Sequence, residues 1–205
     1  MPTTQEPKQL KREVATFKRR RLREEASHLF FKHGYEATTL DAVAERLHVT
    51  KPFIYSYYKN KGELLAEICQ IGIQLSLEAL DWSLSQEGSA TSRLKLLIDK
   101  TAHIVIENQE YIVVYQREEK NLDPEDARRI RDMRHDFDHR VATLLEEGAR
   151  KGEFEIGDPS MTANSINGLI SWISNWYRPG GKWSPTEVVM HTMSLVLRMV
   201  GPHGV

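Results

Sequence analysis

Apolar residues recur along the chain at intervals of three and four, and no sustained alternating run bounded by turn residues is present. The pattern predicts an all-α fold. A first helix is expected from about Thr16 to Lys32, with Leu22, Ala26, Leu29 and Phe30 at helical spacing and Gly34 as its C-terminal stop. Thr39 is suited to cap a second helix carrying Leu40, Val43, Ala44 and Leu47. After a short turn at His48-Val49, Thr50 opens a third helix with Pro52 in its first turn, ending near Tyr58. Asn60, with Glu63 three residues on, has the capping-box arrangement and starts a long fourth helix through Leu65, Ile68, Ile71, Leu75 and Leu80.

Helical periodicity then returns near 90–107, 109–120, 124–150, 159–178 and 184–200. Gly88, Asn108, Asp123-Pro124, Gly152, Gly157-Asp158-Pro159 and Pro179-Gly180-Gly181 separate these segments. Three parts are expected: a disordered basic arm over 1–15, a helix-turn-helix head over 16–62, and a helical body over 63–205.

Composition narrows the function classes. At 205 residues the chain can bury a sizeable core without staples. No run of 18 or more apolar residues is present, and the N-terminus is polar and basic, so neither a membrane span nor a secretory signal is expected. Cys69 is the sole cysteine, which excludes an intrachain disulfide and fits a reducing, cytoplasmic setting. The net charge of −1 hides an asymmetry: residues 1–65 hold thirteen Lys/Arg against eight Asp/Glu, while the remainder is acidic. A basic head suggests a polyanionic partner, and a solvated charged arm is the alternative.

Residues 39–58 carry the most information. A helix of about eight residues, a tight turn and a second short helix make a helix-turn-helix, whose second helix enters the major groove of DNA. That helix, TKPFIYSYY, offers Thr50, Lys51, Tyr55 and Tyr57 as donors, and Lys59 and Lys61 flank the next helix start. Such lysines suit phosphate oxygens. Tyr58 is expected in the core. Phe53 and Ile54 either pack or touch a thymine methyl.

Residues 20–66 resemble the N-terminal domain of the TetR (tetracycline-repressor) family. The residues that carry the resemblance are Phe31-xx-Gly34-Tyr35-xx-Thr38-Thr39-Leu40, Ala44-xx-Leu47-x-Val49 and Ile54-Tyr55-xx-Tyr58-xx-Lys61-xx-Leu64. Tyr58 stands where the family usually has Phe, and the Lys51-Pro52 pair is less usual. The resemblance implies that Thr39 bonds a phosphate, that Thr50, Lys51 and Pro52 face bases or nearby phosphates, and that Tyr55, Tyr57 and Lys61 clamp the backbone. It also implies a ligand-binding body whose last two helices pair with a second subunit. The stripes Ile166, Leu169, Ile170, Ile173 and Val188, Met193, Leu195, Val196 fit that pairing or burial in their own subunit. A homodimer matches two half-sites about 34 Å apart in double-stranded operator DNA.

Later segments are similar to TetR-type repressors that sense acyl-CoA thioesters and control fatty-acid, steroid or aromatic-acid catabolism. These are Val114-Tyr115-Gln116-Arg117-Glu118-Glu119-Lys120-Asn121-Leu122, Leu145-x-Glu147-Gly148-xxx-Gly152-x-Phe154, and Trp176-Tyr177-Arg178-Pro179-Gly180-Gly181. A CoA thioester needs an apolar slot and cations for its phosphates. Trp172, Trp176, Ile104 and Tyr115 are the apolar candidates, and Arg117, Arg128, Arg131 and Arg134 the cationic ones. Each also has a plain reading as core packing or a solvated helix face. The rival effector is a drug-like or other hydrophobic molecule, as in efflux control.

His135 and His139 stand four apart on a helix, a spacing that can serve a metal but more commonly marks a polar face. Their neighbours lack a His-Glu-x-x-His motif, and no nucleophile elbow, phosphate loop or dinucleotide fingerprint occurs. The expectation is a ligand-responsive repressor released from a palindromic operator, with no enzyme activity, no resident cofactor and no metal. An all-helical enzyme and an effector-free architectural protein are the rivals.

Overall fold

The computed structural model describes residues 6–201, which form an all-α fold. Its helices are α1 (Glu6–His33), α2 (Leu40–Arg46), α3 (Lys51–Tyr55), α4 (Lys61–Leu84), α5 (Ala90–Glu107), α6 (Gln109–Glu118), α7 (Pro124–Arg150), α8 (Pro159–Trp176) and α9 (Pro185–Val200). The helix starts follow the predicted caps. The Thr39 hydroxyl accepts from the Ala42 amide at 3.1 Å and Asn60 Oδ1 from the Glu63 amide at 2.9 Å. Glu63 reaches back to the amide of Lys59, one residue before the cap. Ser184 and Glu187 complete a reciprocal capping box at α9.

The third helix ends at Tyr55, short of the expected end near Tyr58, and the largest difference is at the N-terminus. The helix α1 begins at Glu6, so residues 6–15 of the expected disordered arm are helical, and residues 1–5 of that arm lie outside the described residues. Leu10 and Val14 of this extension are exposed, so its described side chains bury no stripe that periodicity could reveal.

Two apolar cores are stacked along α4. The head core joins Leu22, Ala26 and Phe30 of α1 to Val43 of α2, Ile54 of α3 and Leu64, Leu65 and Ile68 of α4. The body core joins α5, α7, α8 and α9 around Leu94, Ile98, Val141, Leu145, Ile166 and Val196. Ile73 of α4 packs against both. The head core also takes Val114, Leu122 and Ile130 from the body, so head and body share packed side chains rather than a bare linker.

The stripes offered for pairing with a second subunit turn inward. Ile166, Ile170, Ile173, Val188 and Val196 are buried within this chain. The large apolar side chains exposed on α8 and α9 are instead Met161, Trp172, Trp176, Met190 and Met199, with Trp183 exposed in the loop between them. Among the described residues no helix is long and apolar enough to cross a membrane.

Candidate functional site

The helix-turn-helix is held from beneath. Ile54 is fully buried and Tyr58 nearly so, leaving Thr50, Lys51, Pro52 and Tyr55 exposed on α3. Ile54 therefore packs rather than reaching a base. Phe53 and Tyr57 are half-buried, their ring centroids 5.2 Å apart, with the Lys18 ammonium over Phe53 at 5.4 Å. The turn between α2 and α3 places His48 at φ +54°, a left-handed position that costs an L residue about 1–2 kcal/mol.

Two of the lysines are engaged within the chain. Lys51 pairs with Asp41 of α2, a bond that raises the lysine's pKa. Lys61 Nζ donates to the carbonyls of Tyr35 (2.7 Å) and Glu36 (3.3 Å) and sits 4.1 Å from the Tyr35 ring centroid. Lys61 thus fastens the α1–α2 loop to the start of α4, and any phosphate it meets competes with those carbonyls. The Thr39 hydroxyl caps α2, whereas that of Thr50 makes no cap bond to α3.

Beneath the head, Glu67 of α4 gathers three donors. Arg19 Nη2 lies 2.7 Å and Arg23 Nη1 2.9 Å from its carboxylate, and the Tyr58 hydroxyl donates at 3.0 Å. Burial, followed by the Glu67 charge, pushes the Tyr58 phenol well above its ordinary range. The carboxylate ties α1, the end of the recognition segment and α4 into one unit.

The body holds a cavity of about 100 Å³ between α4, α5, α6, α7 and α8. Its buried walls include Cys69, Thr101, Val105, Ile130, Phe137 and Ile170. Tyr111, Ile112 and Tyr115 of α6 line it, and Gly72, Ile73 and Ser76 line it from α4. The exposed Arg134 lies where the cavity meets solvent, its guanidinium 5.2 Å from the Tyr115 ring centroid. Next to it, Asp138 accepts from Asn167 Nδ2 at 2.6 Å. Burial raises the Cys69 thiol to about 12 and also raises the Tyr111 and Tyr115 phenols.

Of the sequence candidates for the effector, Tyr115 and Arg134 meet at this cavity. The others stand elsewhere. Arg117 faces the head, with Nη1 3.4 Å from the Phe31 carbonyl and the guanidinium 5.5 Å from its ring centroid. Arg131 is exposed one turn before Arg134 and does not line the cavity. Trp172 and Trp176 are 62% and 42% exposed on the outer face of α8. Trp172 lies two residues, about 200° of helical rotation, from the inward Ile170.

The same helix α6 also grips the head. His28 Nδ1 and Glu110 Oε1 are 2.9 Å apart, and Glu118 Oε1 accepts from the Tyr35 amide at 3.2 Å. Asn121 holds the other Glu118 oxygen at 2.8 Å. One ten-residue helix therefore touches both the cavity and the loop that precedes the helix-turn-helix.

Residues 22–68 match the family described as bacterial regulatory proteins, tetR family, and residues 87–200 match the tetracyclin repressor-like C-terminal domain. The chain belongs to the TetR family. Its members are DNA-binding transcriptional regulators, not enzymes, and they bind operator DNA and small-molecule effectors. The TetR relatives include the HTH-type transcriptional repressor KstR2 of Mycolicibacterium smegmatis, 25% identical over 184 residues that cover 84% of this chain and 85% of that protein. A solved TetR-family regulatory protein from Rhodococcus RHA1 superposes with a TM-score of 0.83 at 28% identity, over 91% of this chain and 98% of its own. AibR, solved with isovaleryl coenzyme A and operator DNA, has the same fold: TM-score 0.76 and 21% identity, covering 86% of this chain and 96% of its own.

Sequence reasoning passed over the TetR body's polar cavity residues. Asp138 and Asn167 come from different helices, and no local spacing links them. The available signal was Asn167 itself, a polar residue beside Ile166 and three before Ile170 on the inward side of α8. His135 and His139 are both exposed on α7. Among the described residues no group of three His, Cys, Asp or Glu side chains is arranged to hold a metal ion.

Proposed function

We propose that the chain is a repressor that binds a near-palindromic operator as a homodimer and is released by an acyl-CoA thioester. The observation that carries the reading is the small, mostly carbon-lined cavity with Arg134 at its opening. A drug-sized molecule needs a pocket of about 300–1,000 Å³. A cavity of about 100 Å³ suits a ligand that inserts one apolar group and leaves the rest outside. Arg134, Arg131 and Arg128 stand at three-residue intervals along α7, about 4.5 Å of rise apart, and all three are exposed. That stripe fits the phosphates of a nucleotide left outside. The precedent of AibR with isovaleryl coenzyme A supports the same ligand class.

The release mechanism follows from α6. An acyl group pressing on Tyr111, Ile112 and Tyr115 would shift α6 and with it the Glu118 contact to the α1–α2 loop and the Arg117 contact to the end of α1. The ligand releases DNA only if it binds the shifted arrangement better than the DNA-bound one. The exposed Trp172, Trp176 and Trp183 at the end of α8 and the loop after it, with the Trp176 and Trp183 rings 6.1 Å apart, support the homodimer, because clustered exposed apolar side chains favour a partner surface. Acting on operator DNA assigns the protein to the cytoplasm.

The test is fluorescence anisotropy of an operator duplex titrated with acyl-CoA thioesters, free CoA and free fatty acids, with the dimer followed by sedimentation. Thioesters are expected to weaken operator binding by about tenfold or more, within the usual range of allosteric coupling. No response to any thioester, or a monomer on DNA, overturns the reading.

A further inference from the structure

We propose that the acyl group admitted by this cavity is short and aliphatic, about four to five carbons long, and that Val105, Phe137 and Ile170 set the limit. The inference rests on the thioester reading above and adds the ligand's size and polarity.

Volume gives the size. A dry cavity of about 150 Å³ holds a benzene ring of six carbons. At about 100 Å³ this cavity has room for roughly two-thirds as many. A hexadecanoyl chain would have to open the walls several-fold. Those walls resist: Thr101, Val105, Phe137 and Ile170 are 4–7% exposed, and the last three belong to the body core. Interiors packed to native density yield little, and forcing extra methylenes into them is destabilising.

Hydrogen bonding gives the polarity. The serine and threonine hydroxyls on the lining donate back to their own helices, Thr101 to the Leu97 carbonyl (2.7 Å), Ser76 to that of Gly72 (2.9 Å) and Ser171 to that of Gly168 (3.2 Å), while the Tyr111 and Tyr115 phenols are engaged by Arg23 and Glu119. Asp138 is held by Asn167. The cavity's cation, Arg134, stands at the opening. The interior therefore offers carbon to its guest, and a carboxylated acyl tail pushed inside would lose its hydration without gaining a paired cation.

On the α4 side, Gly72 keeps the space open. A Cβ there would stand 3.3 Å from Ile112 Cγ1. Gly72→Ala narrows the cavity, and Ile170→Val widens it by one methylene.

The experiment titrates the operator complex with butanoyl-, isovaleryl-, octanoyl-, dodecanoyl- and hexadecanoyl-CoA, and with a carboxylated analogue, glutaryl-CoA. Butanoyl- and isovaleryl-CoA are expected to act at concentrations about tenfold or more below the dodecanoyl and hexadecanoyl thioesters, since one methylene in an apolar pocket discriminates about 10- to 200-fold. Ile170→Val is expected to move the optimum toward longer chains, and Gly72→Ala to weaken isovaleryl-CoA more than butanoyl-CoA. Potency that rises through dodecanoyl-CoA, or glutaryl-CoA matching isovaleryl-CoA, overturns this inference and leaves the thioester reading standing. Failure of every thioester overturns both.

Discussion

The Phe154 ring lies against the backbone of Gly148, so that a Cβ at 148 would sit 2.2 Å from two ring carbons. The glycine is buried in α7, and Phe154 returns from the following turn to cover it. Alanine is the better helix former by about 1 kcal/mol in an open helix. Here the ring must move, and the amides of Glu153 and Phe154 both bond the Gly148 carbonyl. Gly148→Ala is therefore expected to destabilise the protein by about 1–3 kcal/mol in urea denaturation. Gly168, with nothing within 4 Å of its would-be Cβ, is the control. An unchanged midpoint for Gly148→Ala would contradict the close packing.

The grip of α6 on the head predicts an uncoupled variant. Glu118→Ala removes the acceptor for the Tyr35 amide without touching the cavity. Ligand affinity by calorimetry should stay within about twofold, while the ligand-induced loss of operator affinity should shrink about 5- to 10-fold. Wild-type release by this variant would remove Glu118 from the relay.

On α3, Lys51→Ala should weaken operator binding and make the salt dependence shallower by about one released ion, as expected for one lost phosphate contact. The Asp41 partner gives a second variant of opposite sign. Asp41→Asn frees the ammonium from its pair and should tighten binding. Equal salt slopes for Lys51→Ala and the wild type would place Lys51 off the DNA.

Glu153 gives an acid-stability prediction. Its carboxylate accepts from the Thr91 amide, the Thr91 hydroxyl and the Ala90 amide at the start of α5, which lowers its pKa from 4.5 to about 2. A depressed pKa stabilises the fold above the ordinary value, and that stability is lost as pH falls from 4.5 toward 2. The Tm of Glu153→Gln should be lower than wild type at neutral pH, and the gap should close across that window. A gap that stays constant would assign the loss to packing instead.

Much of the fold was legible because its helices announce their ends. Thr39, Asn60, Asp158 and Ser184 are side-chain caps in the structure, and Gly34 and Gly152 take positive φ where stops were read. The extension of α1 was not legible, since residues 6–15 are polar and their few apolar side chains are exposed. Nor was the facing of the large residues. Periodicity says that Trp172 and Ile170 lie on different faces, but not which face the core receives. Trp172 and Trp176 are expected at an apolar slot, whereas the structure exposes them and gives the wall to Ile170. The same limit misdirected Arg117, whose partner is a backbone carbonyl 86 residues away in the chain.

The thiol of Cys69 borders the cavity proposed for a thioester, and thiols exchange with thioesters through their thiolate form. With burial raising its pKa to about 12, the thiol stays protonated at neutral pH. A thioester seated against it would meet a neutral, weakly nucleophilic sulfur and leave with its acyl group intact. Under the proposed thioester reading, burial of this one side chain would separate measuring a metabolite from consuming it.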